Sequence, residues 1–324
     1  MKKLIILLIA ITIIATALTG CAKDETHTKV TVVLDWTPNT NHTGLYTALE
    51  KHFFIDEGLL VEIIQPSDGS AEQLVAANTA QFGISYQENV TFARAAGVPI
   101  VSIAAIIQHN TSGFISLADE NITRPAEFAG KKYGGWGTDI ETAIVKHLMA
   151  EDGGDPDTVN IITMGDMEFF AASDSDEVDF GWAYEAWTLQ DAKLKGRDVN
   201  YFSMISFSDE LDFYTPVIIT NEDNIANNRE LVEKFMRAVK KGYEYAIEHP
   251  EIAAGDLINH VPELDWELVF ASQKFLADKY QADAQMWGIQ EIERWDAYTD
   301  WLYENGLIDE RINTADAFTN DFIK

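Results

Sequence analysis

Apolar residues along this chain follow two spacings that alternate from one segment to the next. Every second position is apolar over residues 30–34, which is typical of a β-strand, and residues 41–52 carry apolar side chains on one helix face. Strands that alternate with helices favour an α/β fold with mostly parallel strands. In the first third of the chain the pattern predicts strands at residues 30–34, 60–64, 82–85 and 100–107, and helices at residues 41–52, 71–77 and 88–96.

The alternation continues through the middle of the chain and then gives way to helices. The pattern predicts helical segments at residues 125–129, 139–150 and 183–195, and strands at residues 132–133, 159–163, 180–181 and 213–220. Beyond these, helical spacing of apolar residues predicts helices at residues 230–247, 266–277 and 289–301.

Two apolar extended stretches, residues 113–117 and 216–220, bracket the middle of the chain. If both cross between two lobes, the first lobe contains the two chain ends and the second contains the middle. We therefore predict a first lobe of residues 29–115 and 217–324, and a second lobe of residues 116–216. A cleft between two such lobes is a common ligand site, and hinge closure would trap the ligand.

The start of the chain has the pattern of an export signal. Two lysines precede an apolar run over residues 4–17, and Leu-Thr-Gly-Cys ends at Cys21, the single cysteine. This is typical of a secretory signal with a lipobox, in which the thiol is acylated and the chain is cut before the cysteine. The run is shorter than the ~20 residues of a membrane span, although a core helix or an uncleaved anchor is the alternative. We predict a signal peptide at residues 1–20 and a lipid-anchored linker at residues 21–28, so that the protein works outside the cytoplasmic membrane.

Charge and composition limit the classes of molecule that the protein can bind. The chain has 53 acidic and 23 basic residues, for a net charge of −30. Such an acidic surface repels nucleic acid, so we expect no nucleic-acid partner, and it argues weakly against an anionic ligand. Because 47% of the residues are hydrophobic and only one is a cysteine, the fold depends on packing without disulfides.

Catalytic motifs are sparse in the sequence. It contains no Gly-x-Ser-x-Gly motif, and its seven histidines follow no metal-binding spacing. Residues 174–179 resemble a calcium loop only in their acidity, since the required Gly and Glu are missing, and we interpret them as an exposed turn. We therefore predict that the chain is not an enzyme and uses no cofactor or metal.

The strongest internal motif is Tyr-Gly-Gly-Trp-Gly-Thr-Asp at residues 133–139, between a predicted strand and a predicted helix. Gly134, Gly135 and Gly137 allow tight turns that expose backbone N–H groups, and Trp136 adds a broad apolar face. The motif matches no phosphate loop. A simple strand–helix turn with a buried tryptophan is the alternative interpretation.

Three other loops place aromatic and polar residues after predicted strands. The carboxyl ends of parallel strands meet at one edge of a sheet, where ligands bind, so we expect these loops to line the cleft. The candidate ligand-binding residues are Trp36, Asn39 and His42 in the first loop, Tyr86 and Glu88 in the second, and Trp182, Tyr184 and Glu185 in the third. Aromatic faces with amide and carboxylate groups suit a flat, uncharged or weakly basic heterocycle.

Four segments together resemble the ThiY-like binding proteins, within a wider family that includes the fungal pyrimidine-forming proteins of thiamine synthesis. They are residues 34–44, 85–91, 106–113 and 134–137. The resemblance implies a type II periplasmic-binding fold and the receptor of an ABC importer that takes up a formylated aminopyrimidine for thiamine salvage. It also implies that the pyrimidine stacks on aromatic rings while Asn and Glu side chains bind its nitrogens. The matching positions here are Trp36, Asn39, Tyr86, Gly135, Trp136 and Glu185.

The resemblance also implies a permease and its ATPase as protein partners, and we expect a monomer. A receptor for riboflavin, another heterocycle, an alkylsulfonate or nitrate is an alternative, but an anion site would favour Arg, Lys or helix N-termini. A pyrimidine-synthesis enzyme is a further alternative. The fungal enzymes that resemble this family use a Cys-rich iron segment, which this sequence lacks.

Overall fold

The computed structural model describes residues 27–66, 69–165 and 167–324. The predicted signal peptide and Cys21 lie outside the described residues. Ten strands in the described part form two five-stranded sheets. The strands are β1 (Thr28–Val33), β2 (Leu59–Ile64), β3 (Phe82–Ser85), β4 (Ile100–Ala105), β5 (Ser112–Leu117), β6 (Lys132–Gly135), β7 (Asn160–Thr163), β8 (Phe180–Tyr184), β9 (Val199–Ser203) and β10 (Val217–Asn221). Thr28, predicted as the end of the linker, is thus already in β1.

Helices cover the sheets and dominate the last third of the chain. The α-helices are α1 (Thr43–Glu50), α2 (Phe53–Asp56), α3 (Ala71–Ala76), α4 (Gln87–Ala95), α5 (Asp139–Glu151), α6 (Phe169–Asp174), α7 (Gln190–Leu194), α8 (Glu222–Asn227), α9 (Arg229–Glu248), α10 (Pro250–His260), α11 (Trp266–Tyr280) and α12 (Ile292–Glu304). Within the described residues, none is long and apolar enough to cross a bilayer.

The two sheets share one design. Their strand orders are β2-β1-β3-β10-β4 and β7-β6-β8-β5-β9. In the first sheet β1 pairs in parallel with β2 and β3, and in the second β6 pairs in parallel with β7 and β8. β10 and β5 run antiparallel to both of their neighbours. Pairing is therefore less parallel than predicted, because each sheet contains one reversed strand that follows a crossing from the other sheet.

The chain crosses between the sheets twice, through residues 106–111 and residues 204–216. The stretches that we expected to cross do not do so: residues 113–117 pair within the second sheet, and β10 pairs within the first. The predicted lobe limit at residue 115 therefore falls inside β5, and the lobe limits stay a prediction.

Two helices account for much of the packing around the sheets. The buried residues of α9 include Val232, Phe235, Val239 and Tyr243, at the spacing of one helix face, and they belong to the core of the first sheet. By contrast, α12 contributes Tyr298, Trp301 and Leu302 to the buried cluster that contains Phe114 and Phe180 of the second sheet. The C-terminal part of the chain therefore packs on both halves of the molecule.

Candidate ligand-binding cleft

A cavity of about 190 Å³ lies beyond the carboxyl ends of β6, β7 and β8. Trp36, in the loop after β1 of the first sheet, also borders the cavity. Ligands of open α/β sheets bind at this edge, because the loops that follow parallel strands converge there. Six of the predicted candidates line the cavity: Trp36, Gly134, Gly135, Trp136, Trp182 and Tyr184.

Large aromatic rings form the walls and stay accessible. Trp36, Trp136 and Tyr184 are 56%, 44% and 38% exposed, although rings of this size are usually buried. The rings of Trp136 and Trp182 meet edge to face, with their centroids 6.3 Å apart. The Trp182 Nε1 is buried and has no hydrogen-bond partner within the described part of the chain.

A buried carboxylate, Asp35, stands directly before Trp36. Its Oδ1 lies 2.6 Å from the His42 Nε2, and its Oδ2 accepts a hydrogen bond of 2.7 Å from the Tyr86 hydroxyl. Burial alone raises the pKa of Asp35, but His42 and Tyr86 outweigh this effect and hold the pKa below its ordinary value. We did not predict Asp35 as a site residue, although its position two residues after β1 could have indicated it.

His42 and Asn39 position this loop from within. The His42 ring is fully buried, and its Nδ1 accepts a hydrogen bond of 3.2 Å from the Asn39 backbone N–H. The Asn39 Oδ1 accepts from the Asn41 N–H at 2.9 Å and caps the single 3₁₀ turn Thr40–His42. Neither residue borders the cavity: His42 holds the Asp35 carboxylate, and Asn39 stabilises the turn that carries His42.

The Gly-rich loop, residues 134–138, wraps around the Glu141 carboxylate. The Glu141 Oε1 accepts hydrogen bonds from the Tyr133 hydroxyl at 2.7 Å and from the Trp136 N–H at 3.1 Å. Its Oε2 accepts from the N–H groups of Gly137 at 3.0 Å and Thr138 at 3.1 Å, and from the Thr138 hydroxyl at 2.9 Å. Gly137 has a φ of +91°, a conformation that favours glycine and turns its N–H toward Glu141.

Glu88 lies in the first turn of α4, close to the charge of Glu141. The Tyr298 hydroxyl is 3.4 Å from its carboxylate. Burial raises the pKa of Glu88 to about 7, and the negative charge of Glu141 adds to that effect although the Tyr298 contact opposes it. Burial also raises the pKa of Tyr184, with contributions from Glu88, Asp35 and Glu141. Three carboxylates from both halves of the molecule therefore share one electrostatic environment.

Glu185 does not border this cavity, although Tyr184 does. It begins a π-helical turn, Glu185–Leu189, in place of the α-helix that we predicted from residue 183, and β8 continues to Tyr184. Its backbone N–H donates to the Thr111 carbonyl at 3.0 Å, and its charge acts on Tyr201. The structure thus separates Tyr184, at the cavity, from Glu185.

The segment between β7 and α6 supplies lining residues that sequence reasoning missed. Met164, Met167, Glu168 and Phe169 border the cavity. Their position after a predicted strand was a signal, and Gly165 and two phenylalanines follow the same strand, but sequence reasoning did not select the segment. Among the residues that the structure describes, no group of three His, Cys, Asp or Glu is placed to hold a metal ion.

Comparison with known proteins agrees with this architecture. The model of the family described as NMT1/THI5 like matches residues 39–253. The formylaminopyrimidine-binding protein of Halalkalibacterium halodurans is 31% identical over 98% of this chain and 98% of its own length. A 4-amino-5-hydroxymethyl-2-methylpyrimidine phosphate synthase of Legionella pneumophila is 25% identical over 93% of this chain and 94% of its own.

Solved structures resemble the whole arrangement of sheets and helices. The periplasmic aliphatic sulphonate binding protein of Escherichia coli matches with a TM-score of 0.66, over 89% of this chain and 91% of that one. At 12% identity this likeness shows the fold alone, and it confirms the predicted periplasmic-binding fold of two α/β halves. The family match spans most of the described residues, and the predicted resemblance is confirmed: the chain belongs to the NMT1/THI5-like family.

Proposed function

We propose that this protein is the solute receptor of an ABC importer and that it binds a thiamine-precursor pyrimidine, N-formyl-4-amino-5-aminomethyl-2-methylpyrimidine. The observation that carries the proposal is the pair of accessible indole rings, Trp36 and Trp136, which border the same small cavity. A planar heteroaromatic ring can stack on such faces, and each stacked face contributes roughly 1 kcal/mol. The 31% identity to a formylaminopyrimidine-binding protein supports the same ligand.

The charges around the cavity support a neutral or weakly basic ligand. No Lys or Arg borders the cavity in the described part of the chain, whereas Glu168 does, and Glu88 lies within reach of the charge of Glu141. A carboxylate can accept hydrogen bonds from the amino group or a protonated nitrogen of an aminopyrimidine. An alkylsulfonate or nitrate would bring a further negative charge without a cation to pair with it.

Calorimetric titration of the purified protein with the formylated aminopyrimidine tests this function. We expect tight 1:1 binding, and a loss of about tenfold or more in affinity for Trp36→Ala and for Trp136→Ala. Trp266→Ala is the matched control, because Trp266 is 49% exposed on α11 and does not border the cavity. Absence of binding to this ligand, together with binding of an alkylsulfonate, would reject the assignment.

The site is proposed to bind and release its ligand without chemistry. Relatives in the family are named as pyrimidine phosphate synthases, but this sequence has no cysteine apart from Cys21 and therefore no Cys-rich segment. Incubation with pyridoxal phosphate, ferrous iron and oxygen, followed by mass spectrometry, should yield no new pyrimidine. Formation of the pyrimidine, even at one equivalent per protein or less, would contradict the receptor assignment.

We also propose that the receptor is a monomer, held outside the cytoplasmic membrane by a lipid on Cys21. Its protein partners are the permease in that membrane and the ATPase of the importer. The Leu-Thr-Gly-Cys motif after an apolar run supports this location. Cys21→Ser should abolish metabolic labelling with palmitate and leave the signal peptide uncut, so that the variant has a larger mass than the mature protein. Labelling of that variant equal to the wild type would contradict the lipid anchor.

A further inference from the structure

The Gly-rich loop is built like an anion-binding site. Three successive backbone N–H groups, those of Trp136, Gly137 and Thr138, point toward one small space at the start of α5, which we call the anion nest. Backbone N–H groups arranged in this way at a helix N-terminus attract phosphate and carboxylate groups. Gly134 and Gly135 of the same segment border the ligand cavity, so an anion in this nest would be next to a bound solute.

A side chain of the protein already occupies this nest. The Glu141 carboxylate accepts all three N–H groups as well as the hydroxyls of Tyr133 and Thr138, and Glu141 is only 4% exposed. The loop and the carboxylate are fitted closely, since a Cβ on Gly135 would come within 2.5 Å of the Glu141 Oε1. The donors that could hold a phosphate on a ligand are therefore already used.

The surroundings provide nothing to offset a second negative charge. In the described part of the chain, no basic side chain borders the cavity, and the acidic Glu168 does. Burial and the charge of Glu141 both raise the pKa of Glu88, which places these two carboxyl groups close enough to interact. A phosphate near the loop would meet a filled nest and like charges.

We propose that Glu141 is a specificity-determining residue: by filling the anion nest of the Gly-rich loop, it makes the receptor reject phosphorylated pyrimidines and accept their unphosphorylated forms. The choice of pyrimidines rests on the function proposed above, whereas the occupied nest does not. Rejection of a charged analogue through a built-in repulsive group is a general route to specificity. An importer with such a receptor would take up the unphosphorylated pyrimidine and leave its phosphate ester outside.

The test compares 4-amino-5-hydroxymethyl-2-methylpyrimidine with its phosphate monoester by calorimetry. We expect the wild-type protein to bind the alcohol at least about 100-fold more tightly than the ester, and Glu141→Ala to lower this ratio by at least about tenfold. Asp139→Asn is the matched control, because it removes an exposed charge from the same helix turn outside the nest, and its ratio should stay within about twofold of the wild type.

Glu141→Gln guards against misfolding of the alanine variant. The amide keeps the shape of the side chain but loses the charge, so it should shift the ratio in the same direction by a smaller factor. The proposal is overturned if the wild type binds both compounds equally, or if the folded Glu141 variants keep the wild-type ratio. If the alanine variant is unfolded, the glutamine variant decides alone.

Inorganic phosphate separates this proposal from the proposed function. At about 10 mM it should raise the melting temperature of Glu141→Ala, or of Glu141→Ser if the alanine variant is unfolded, and leave the wild type unchanged. This readout needs no pyrimidine, so it remains informative if no pyrimidine binds and the proposed function fails. Equal stabilisation of wild type and variant by phosphate, or of neither, would show that Glu141 does not block the nest.

Discussion

The Tyr86 hydroxyl donates a hydrogen bond of 2.7 Å to the Asp35 carboxylate, and so joins the end of β1 to the start of α4. The same carboxylate holds His42, which leaves both of its oxygens paired in a site where its side chain is only 6% exposed. This contact sets the position of the loop that carries Trp36. The conformation of this loop therefore depends on the ionised Asp35 carboxylate.

Asp35→Asn should destabilise the protein by about 3 kcal/mol, because the amide cannot accept from both partners and leaves a buried polar group unpaired. Urea unfolding at neutral pH measures this loss. Asp119→Asn is the control, since Asp119 is exposed and its carboxylate has no hydrogen bond in the described structure, and it should change the free energy of unfolding by less than about 0.5 kcal/mol. Similar values for the two variants would contradict the structural role of Asp35.

Glu88 should make the protein less stable as pH rises. Because burial raises its pKa from 4.5 to about 7, the folded protein retains a proton that the unfolded chain releases between these values. The contribution to stability is complete below pH 4.5 and is lost as pH rises through 7, by up to about 3 kcal/mol. Urea unfolding at pH 5 and pH 8 should show a larger loss for the wild type than for Glu88→Gln. Equal losses would contradict the raised pKa.

The sequence alone was sufficient to predict the tryptophans and Tyr184 of the cavity, but not the phenylalanines of α6. Trp136 directly follows β6, and Trp36 lies three residues beyond the end of β1. Both strands are predicted from residues close along the chain, so the placement of the two rings at the carboxyl edge needs no long-range information. Glu141 was also within reach, because Thr138-Asp-Ile-Glu141 is a capping box in which the Glu reaches back to the helix start. That Glu141 fills the anion nest could not be predicted, because this depends on the backbone conformation of the preceding glycines.

Other features depended on distant partners. Tyr86 lies 51 residues from Asp35, and no pattern along the chain pairs them. The reversed directions of β5 and β10 follow from where the chain crosses between sheets. Both strands are buried almost continuously, as β3 is, so their apolar pattern does not reveal the reversal. Burial likewise decided the role of His42, because a polar side chain in a loop is equally compatible with a cleft and with a support beneath it.

Close packing of α1 on α9 should make one glycine indispensable. A Cβ on Gly242 would lie 2.0 Å from the Gly44 carbonyl oxygen, which is backbone and cannot move aside. Gly242→Ala should therefore cost about 3 kcal/mol or more by forcing the helices apart. Gly255→Ala is the matched control within α10, where nothing lies within 4 Å, and it should stabilise by about 0.5–1 kcal/mol. Thermal and urea unfolding measure both, and a tolerated Gly242→Ala would contradict the helix contact.

A charged cluster joins the two crossings between the sheets. The His109 Nδ1, in residues 106–111, lies 2.6 Å from the Asp212 Oδ2, in residues 204–216. Arg294 of α12 also reaches Asp212, at 3.3 Å, and the His109 Nε2 lies 2.8 Å from the exposed Asp283 carboxylate. Burial alone lowers the pKa of His109, but the hydrogen bonds to Asp212 and Asp283 outweigh both burial and the charge of Arg294 and raise it.

His109→Gln should therefore weaken the protein most at low pH. A raised histidine pKa gives stability that is complete below its ordinary value of 6.5 and is lost as pH rises through the raised value. Because the His109 side chain is one-third exposed, we expect a loss of only about 1 kcal/mol at pH 6, falling toward zero by pH 9. Asp283→Asn, which alters a carboxylate that is 80% exposed, should cost less than about 0.5 kcal/mol. A variant loss that is constant from pH 6 to pH 9 would mean that packing of the ring, and not its charge, holds the two crossings together.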